Sequence, residues 1–191
     1  MSDLIAKGDQ SGFRAELGFR DYPLTGVSGA IRPPFLRKAV ESALQQADVN
    51  REILLVDDGS TPEMASVAIG LAESSKGNVR YLCHPGRINR GISATRNLGV
   101  TASTGDFVAF LDSDDVWLPG KLAEQVETLK DLPDVALVFG QSEYWFGWQP
   151  ELRAGRRDFI PDRGARVRRI LHPPRFVSDF LRGRIVVPNP S

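Results

Sequence analysis

Residues 107–119 read FVAFLDSDDVWLP, an apolar run that ends in Asp112, Asp114 and Asp115 and leads directly into a helix start. Aromatic and β-branched residues closed by turn-forming ones signal a buried strand. Strand side chains alternate faces, so Asp112 and Asp114, at i and i+2, converge on one spot at the carboxyl end of that strand. Ligands of open α/β sheets bind there. Two like charges about 4 Å apart repel by about 4 kcal/mol at an effective dielectric of 20. Such a pair favours a cation, and a donor set made only of oxygen suits Mg2+ or Mn2+. Taken alone, the same acids would serve equally as a solvated turn and the cap of the following helix.

On both sides of this stretch, strand and helix periods alternate, the signature of an α/β fold with a mainly parallel sheet flanked by helices on both faces. Phe35, Leu36, Ala39, Val40, Ala43 and Leu44 stripe one helix after Pro33 and Pro34. Ile53 to Val56 predicts a buried strand ending in Asp57, Asp58 and Gly59. Ser60 to Glu63 then form a capping-box start for a helix with Met64, Val67, Ala68 and Leu71 on its apolar face. Val79 to Cys83 is the next strand, Ile92 to Ser103 a helix, and Phe107 to Leu111 a further strand. Leu118, Leu122, Val126 and Leu129 stripe another helix, Val135 to Phe139 form a last strand, and Arg175 to Leu181 form a short helix. Tyr144, Trp145, Phe146 and Trp148 precede a stretch that reads as loop or lid.

In a parallel sheet the strands ending at Asp57, His84 and Asp112 finish on one edge. Between the last two lies the run Asn89, Arg90, Gly91, Ile92, Ser93, Ala94, Thr95, Arg96, Asn97, where a helix begins at a glycine among basic and amide side chains. Free N–H groups at a helix start and a nearby Arg attract phosphate. The plainer alternative is that Asn89 caps the helix and both Arg side chains are solvated. His84 and His172 are too few for a metal triad or a Ser-His-Asp system, and both read as structural.

Composition narrows the classes. A chain of 191 residues, 41% apolar and 25% charged, suits one soluble domain with a sizeable core. Formal net charge is zero, which removes the global electrostatic argument for nucleic acid. Charge is uneven, however: Glu151 to Arg184 carries ten Arg and no Lys against four acids. The Arg-rich segment from Arg153 to Arg169 suggests a lid, a plain loop, or a peripheral contact with anionic membrane. Cys83 is the only cysteine, which fits a reducing, cytoplasmic compartment. No stretch approaches the roughly 20 apolar residues of a membrane span.

Taken together, EILLVDDGST, NRGISATRNLG and GDFVAFLDSDDVWLPGKL, in this order and spacing, resemble the nucleotide-sugar-binding half of family 2 glycosyltransferases. The resemblance covers Pro33 to about Lys130 and implies the Rossmann-like GT-A fold. It implies a donor domain over residues 33–148, an atypical N-terminal segment over 1–32, and an Arg-rich loop opening an acceptor-side region over 149–191. By resemblance, Asp57 or Asp58 hydrogen-bonds the nucleobase, commonly uracil. Asp112 lies near ribose or metal, and Asp114 binds the cation that bridges the diphosphate. Asn89, Arg90, Gly91 and Arg96 line the diphosphate side, with Ser113 counted among the substrate-binding residues. Arg96 has an alternative structural role, pairing with an acid behind the site. The implied reaction moves a sugar from a nucleoside-diphosphate sugar, UDP by expectation, to a glycan, lipid or protein acceptor, with inversion of the anomeric centre and Mg2+ or Mn2+ as cofactor.

Two departures from the family pattern stand out. Leu24 to Ile31 carry two glycines and little apolar content, so the usual first central strand is expected to be missing, altered or weakly paired. At the far end, the acceptor-side acidic motif that supplies the general base has no match; Glu143 and Asp179 are available carboxylates outside it. A donor-binding module without turnover is therefore one alternative. A haloacid dehalogenase-type phosphatase is another, since Asp112 to Val116 fits DxDx(T/V), but it leaves the other two segments without a role.

Overall fold

The computed structural model describes residues 4–6, 27–29, 33–146, 155, 157–160 and 170–182. The strand Ile53–Asp57 (β3) is buried at all five positions. A strand covered on both faces must read as a continuous apolar run, which ILLV does. It pairs in parallel with Val79–Cys83 (β4) on one side and with Val27–Gly29 (β2) on the other. Beyond β2 lies Leu111–Asp112 (β6), also parallel, giving the order β4-β3-β2-β6. The expected missing first strand is thus present, and it is central. Its one glycine, Gly29, is tolerated because the partners on both sides supply the hydrogen bonds.

The run from Phe107 does not form one strand. Phe107–Ala109 (β5) pairs antiparallel with Leu4–Ala6 (β1), which also pairs antiparallel with Leu137–Val138 (β7). After Phe110 the chain switches sheets and β6 joins the parallel one. The expected Val135 to Phe139 strand shrinks to the two residues of β7. This three-stranded antiparallel sheet had no counterpart in the sequence expectations, because its organising strand is only three residues long.

Helices cover both faces of the parallel sheet. Pro33–Leu44 (α1), Pro62–Ser74 (α2) and Lys121–Asp131 (α4) share one core cluster with Ile53, Leu55, Val79 and Leu111. Ile92–Ala102 (α3) lies on the opposite face, with Gly99 buried against Val56. The α1 stripe holds as expected, with Leu36, Ala39, Val40 and Ala43 at most 2% exposed. In α2 the buried face is Ala65, Ala68 and Leu71, leaving Met64 and Val67 half-buried. Thr61 is its cap, accepting from the Met64 N–H at 3.4 Å. Leu118 is not part of the α4 stripe: it is 70% exposed and precedes the helix, which starts after Gly120 at φ 75°.

Buried polar side chains fasten α1 to the segment following the acids. Gln46, 1% exposed, donates to the Leu118 carbonyl at 2.9 Å and accepts from the Leu122 N–H at 3.1 Å. The Ser42 hydroxyl accepts from the Trp117 N–H at 3.1 Å. One of the unpaired amides at the start of α4 is thereby satisfied by Gln46, two residues beyond the end of α1.

The chain divides between Val138 and Phe139 into two compact units. This boundary falls inside the stretch that the sequence reading treats as a donor domain. In the second unit, Tyr144 and Phe159 form an antiparallel bridge with rings stacked 5.2 Å apart. Arg175–Leu181 (α5) is the expected short helix. Trp148 lies outside the described residues, as does Arg153 to Arg169 except for Gly155, Arg157, Asp158, Phe159 and Ile160. Among the described residues, no helix is long and apolar enough to cross a membrane.

Candidate donor site

Because β3, β4, β2 and β6 run parallel, Asp57, His84 and Asp112 end on the same edge of the sheet, as the sequence predicts. The base-end pair is held tightly. Asp57, 1% exposed, accepts from the Ser60 N–H at 3.0 Å through Oδ1 and from the Tyr81 hydroxyl at 2.6 Å through Oδ2. Asp58 accepts from the Arg90 N–H at 2.7 Å through Oδ1, and its carbonyl accepts from the Asn89 amide at 2.9 Å. Gly59, at φ 76°, lets the two segments touch: a Cβ there would sit 2.5 Å from the Asn89 nitrogen. The VDDGST and NRG segments therefore form one joined edge.

Asn89 is not the helix cap. Its Oδ1 accepts from the Gly91 N–H at 3.2 Å, and Gly91 itself occupies the N-cap position of α3 with no side-chain cap bond. Gly91 has φ 85°, a conformation that strongly favours glycine, and nothing lies within 4 Å of where its Cβ would be. Backbone N–H groups at the start of α3 stay approachable there. The Arg90 side chain is exposed beside them.

Arg96 ties α3 to the acidic end. Its guanidinium donates to Asp112 Oδ1 at 3.2 Å and Oδ2 at 3.5 Å, and lies 5.6 Å from the Phe110 ring centroid. Arg96 therefore pairs with Asp112, one of the candidate site acids. Asp112 is 4% exposed, and burial pushes its carboxyl up to about 6; Arg96 opposes that shift, while the charges of Asp115 and Asp114 add to it. Burial, with the charge of Asp114, also raises Asp115. Ser113 is buried in the same turn, which the Asp115 N–H closes by donating to the Asp112 carbonyl at 3.1 Å.

Among the described residues, no group of three His, Cys, Asp or Glu side chains is arranged to hold a metal unaided. Mg2+ and Mn2+ do not need one, since one or two carboxylates complete their shell with water and phosphate oxygens. Burial is the main cause of the Asp112 shift, and the charges of Asp115 and Asp114 add to it in the sense that a cation would relieve. Asp112 and Asp114 thus fit such an ion.

Two features escaped the sequence reading. Tyr81 looked like an ordinary strand residue, although a buried Tyr seeks a partner for its hydroxyl. Arg87, at φ 54°, donates to that hydroxyl at 3.4 Å. His84 is buried with Nε2 3.5 Å from the Thr95 hydroxyl, consistent with its structural reading. Asp179 pairs with Arg175 at 3.4 Å, while Glu143 is exposed.

Part of this chain is similar to known proteins. An uncharacterized glycosyltransferase of Nostoc is 38% identical over 96 residues, covering 50% of this chain and 29% of the relative. An Escherichia coli protein, the UDP-Glc:alpha-D-GlcNAc-diphosphoundecaprenol beta-1,3-glucosyltransferase WfaP, is 33% identical over 106 residues, or 56% of this chain and 39% of its own. The chain thus spans well under half the length of these relatives. A mannosyltransferase of Pyrobaculum calidifontis, solved in complex with GDP-Man and Mn2+, superposes with a TM-score of 0.53 at 22% identity, covering 60% of this chain and 34% of that one. This likeness shows the GT-A, Rossmann-like fold. The family profile described as glycosyl transferase family 2 matches residues 31–185, and with the fold and the three joined motifs in place, the chain belongs to that family.

Proposed function

We propose that this chain binds the donor for a glycosyltransferase that moves a sugar from a nucleoside-diphosphate sugar, with UDP as the nucleotide, to a hydroxyl of a glycan, lipid or protein. The carrying observation is the register across β2, where Gly29 pairs with Asp57 and Ser28 pairs with Asp112. Asp57 and Asp112 end strands two positions apart, roughly 10 Å. That spacing suits a nucleotide lying along the sheet edge, its base toward Asp57 and Asp58 and its diphosphate toward Asp112 and Asp114. The E. coli relative, whose name specifies a UDP-Glc donor, supports the choice of nucleotide.

Each residue has work to do in this reading. A carboxylate at Asp57 or Asp58 accepts from the base N3–H. Asn89 and the joined turn fix the groove wall, Gly91 keeps the start of α3 open so that the N–H groups following it face phosphate, and the Arg90 side chain adds positive charge. Arg96 orients Asp112. Asp114 and Asp112 would hold Mg2+ or Mn2+, which supplies charge neutralisation for the departing nucleoside diphosphate. Inversion by an acceptor-side base belongs to the same proposal, as do a donor domain over 33–148, acceptor contacts from 149–191, and a reducing, cytoplasmic setting that the lone Cys83 fits. The phosphatase alternative makes Asp112 a nucleophile. It leaves the joined VDDGST and NRG segments without a role.

Equilibrium titration of UDP with and without Mn2+ tests the proposal, with Asp114→Ala as control. Binding should weaken at least tenfold without metal or in the variant, corresponding to about 1.4 kcal/mol or more. If no nucleoside diphosphate binds under any condition, the reading is wrong. Metal-dependent binding with no transfer to any acceptor would make the chain a binding module.

A further inference from the structure

We propose that Tyr81 is a positioning residue of the donor site, acting through Asp57 on the turn that presents Asp58 to the nucleobase. This rests on the donor reading above and divides the labour between its two base-end aspartates.

Tyr81 pairs with Leu55 across the β3–β4 ladder, and Asp57 lies two residues further along β3. Side chains at this diagonal spacing share a face, and an aromatic ring is long enough to bridge them. The phenol reaches Asp57 Oδ2 at 2.6 Å. On its far side the exposed Arg87 donates to the same hydroxyl at 3.4 Å, from a left-handed backbone conformation at φ 54°. Asp57 Oδ1 is meanwhile taken by the Ser60 N–H. Both oxygens of Asp57 thus serve the protein, and its 1% exposure leaves a base no room to reach it.

What Asp57 does is hold the turn 57–60 shut. That turn carries Asp58, whose Oδ1 is fixed by the Arg90 N–H, and Gly59, which lies against Asn89. Among the described residues no hydrogen bond is made to Asp58 Oδ2, so that oxygen is the acceptor left for the base N3–H. The Tyr81 hydroxyl has its ionisation raised well beyond the usual range, by burial first and then by its bond to Asp57, so it remains a donor at any working pH. Removing it leaves Asp57 Oδ2 buried and unsatisfied. The turn would then relax chiefly at the base end: Asn89 and Arg90 touch it, but α3, Arg96 and Asp112 on the diphosphate side are held together by their own contacts.

Two probes separate positioning from general structural damage: UDP with Mn2+, which needs both ends of the groove, and pyrophosphate with Mn2+, which needs only one. Tyr81→Phe should weaken UDP binding about tenfold, the loss expected from one charge-assisted hydrogen bond, and leave pyrophosphate within about twofold. Equal loss of both probes, or unchanged UDP affinity, overturns the proposal. If the wild-type chain binds pyrophosphate but no nucleotide, the donor reading fails together with it. If wild type binds UDP normally and Tyr81→Phe does as well, only the present inference fails. Should Tyr81→Phe not fold, Arg87→Ala withdraws the outer donor at an exposed position; a smaller loss confined to UDP supports the proposal, and no selective loss overturns it.

Discussion

At the scale of single residues, Asp112 has the most perturbed environment among the candidate site acids. Its carboxyl sits near 6, above the ordinary 3.8, because it is buried beside two other acids. The folded state therefore holds a proton that the unfolded chain has released between about 3.8 and 6. Where the native state binds more protons, stability falls as pH rises. The metal-free protein should thus lose up to about 3 kcal/mol between pH 4 and 7 from this group, at 1.36 kcal/mol per pH unit. Mn2+ in the presence of UDP should bind oppositely, weakening as pH falls through 6, since a metal ligand must be ionised. Urea denaturation and Mn2+ titration across pH 5 to 7 check both slopes, and two flat profiles would contradict the burial argument. Arg96→Ala removes the counter-charge and should steepen the stability loss above pH 6 by about 1–3 kcal/mol, below the full figure for buried pairs because Arg96 is partly exposed. Asp112 was legible from sequence as the end of an apolar strand, whereas Asp114 lies beyond β6 in the turn that follows, where strand alternation no longer sets the direction of a side chain. The Arg96 partner was not, since an α-helix and a strand meet there only after both have folded.

Elements decide how tightly the site is assembled, and two glycines allow that to be measured. Gly91 has a positive φ with open space around it, so Gly91→Ala should cost only backbone strain, about 1–2 kcal/mol. Gly59 has a positive φ as well, and its added Cβ would collide with Asn89 backbone at 2.5 Å. Gly59→Ala should cost clearly more and should part the VDDGST turn from the NRG loop. Chemical denaturation of both variants tests the order; a milder effect at Gly59 would mean the two segments are not in contact. Gln46 offers a second test. Gln46→Leu keeps the volume but strands the Leu122 N–H and the Leu118 carbonyl, at a cost of about 2–3 kcal/mol in thermal or urea unfolding. Helix existence was read correctly from the apolar stripes. Helix starts were less legible: Gly120 ends the loop by adopting φ 75°, so Leu118 falls outside a stripe whose period it matches.

For the molecule as a whole, the decisive element is the one that sequence patterning valued least. Val27–Gly29 contributes three residues with a serine and a glycine among them, yet it lies between β3 and β6 and pairs with both. Strand propensity is weak here because it measures fit to a half-buried surface, whereas a central strand is dictated by the hydrogen-bonding edges on either side. Its register also sets the distance between the base end and the diphosphate end of the proposed site. Proline at position 28 removes a backbone donor from the middle of the sheet, where proline is not accommodated. Ser28→Pro should therefore cost about 3 kcal/mol or more and abolish UDP binding, whereas Ser28→Ala should leave the backbone pairing intact. Circular dichroism melts and UDP titration of the two variants separate the outcomes. If Ser28→Pro keeps wild-type stability, residues 27–29 are not a central strand, Asp57 and Asp112 are not held two strands apart, and the geometric case for a nucleotide spanning them is lost.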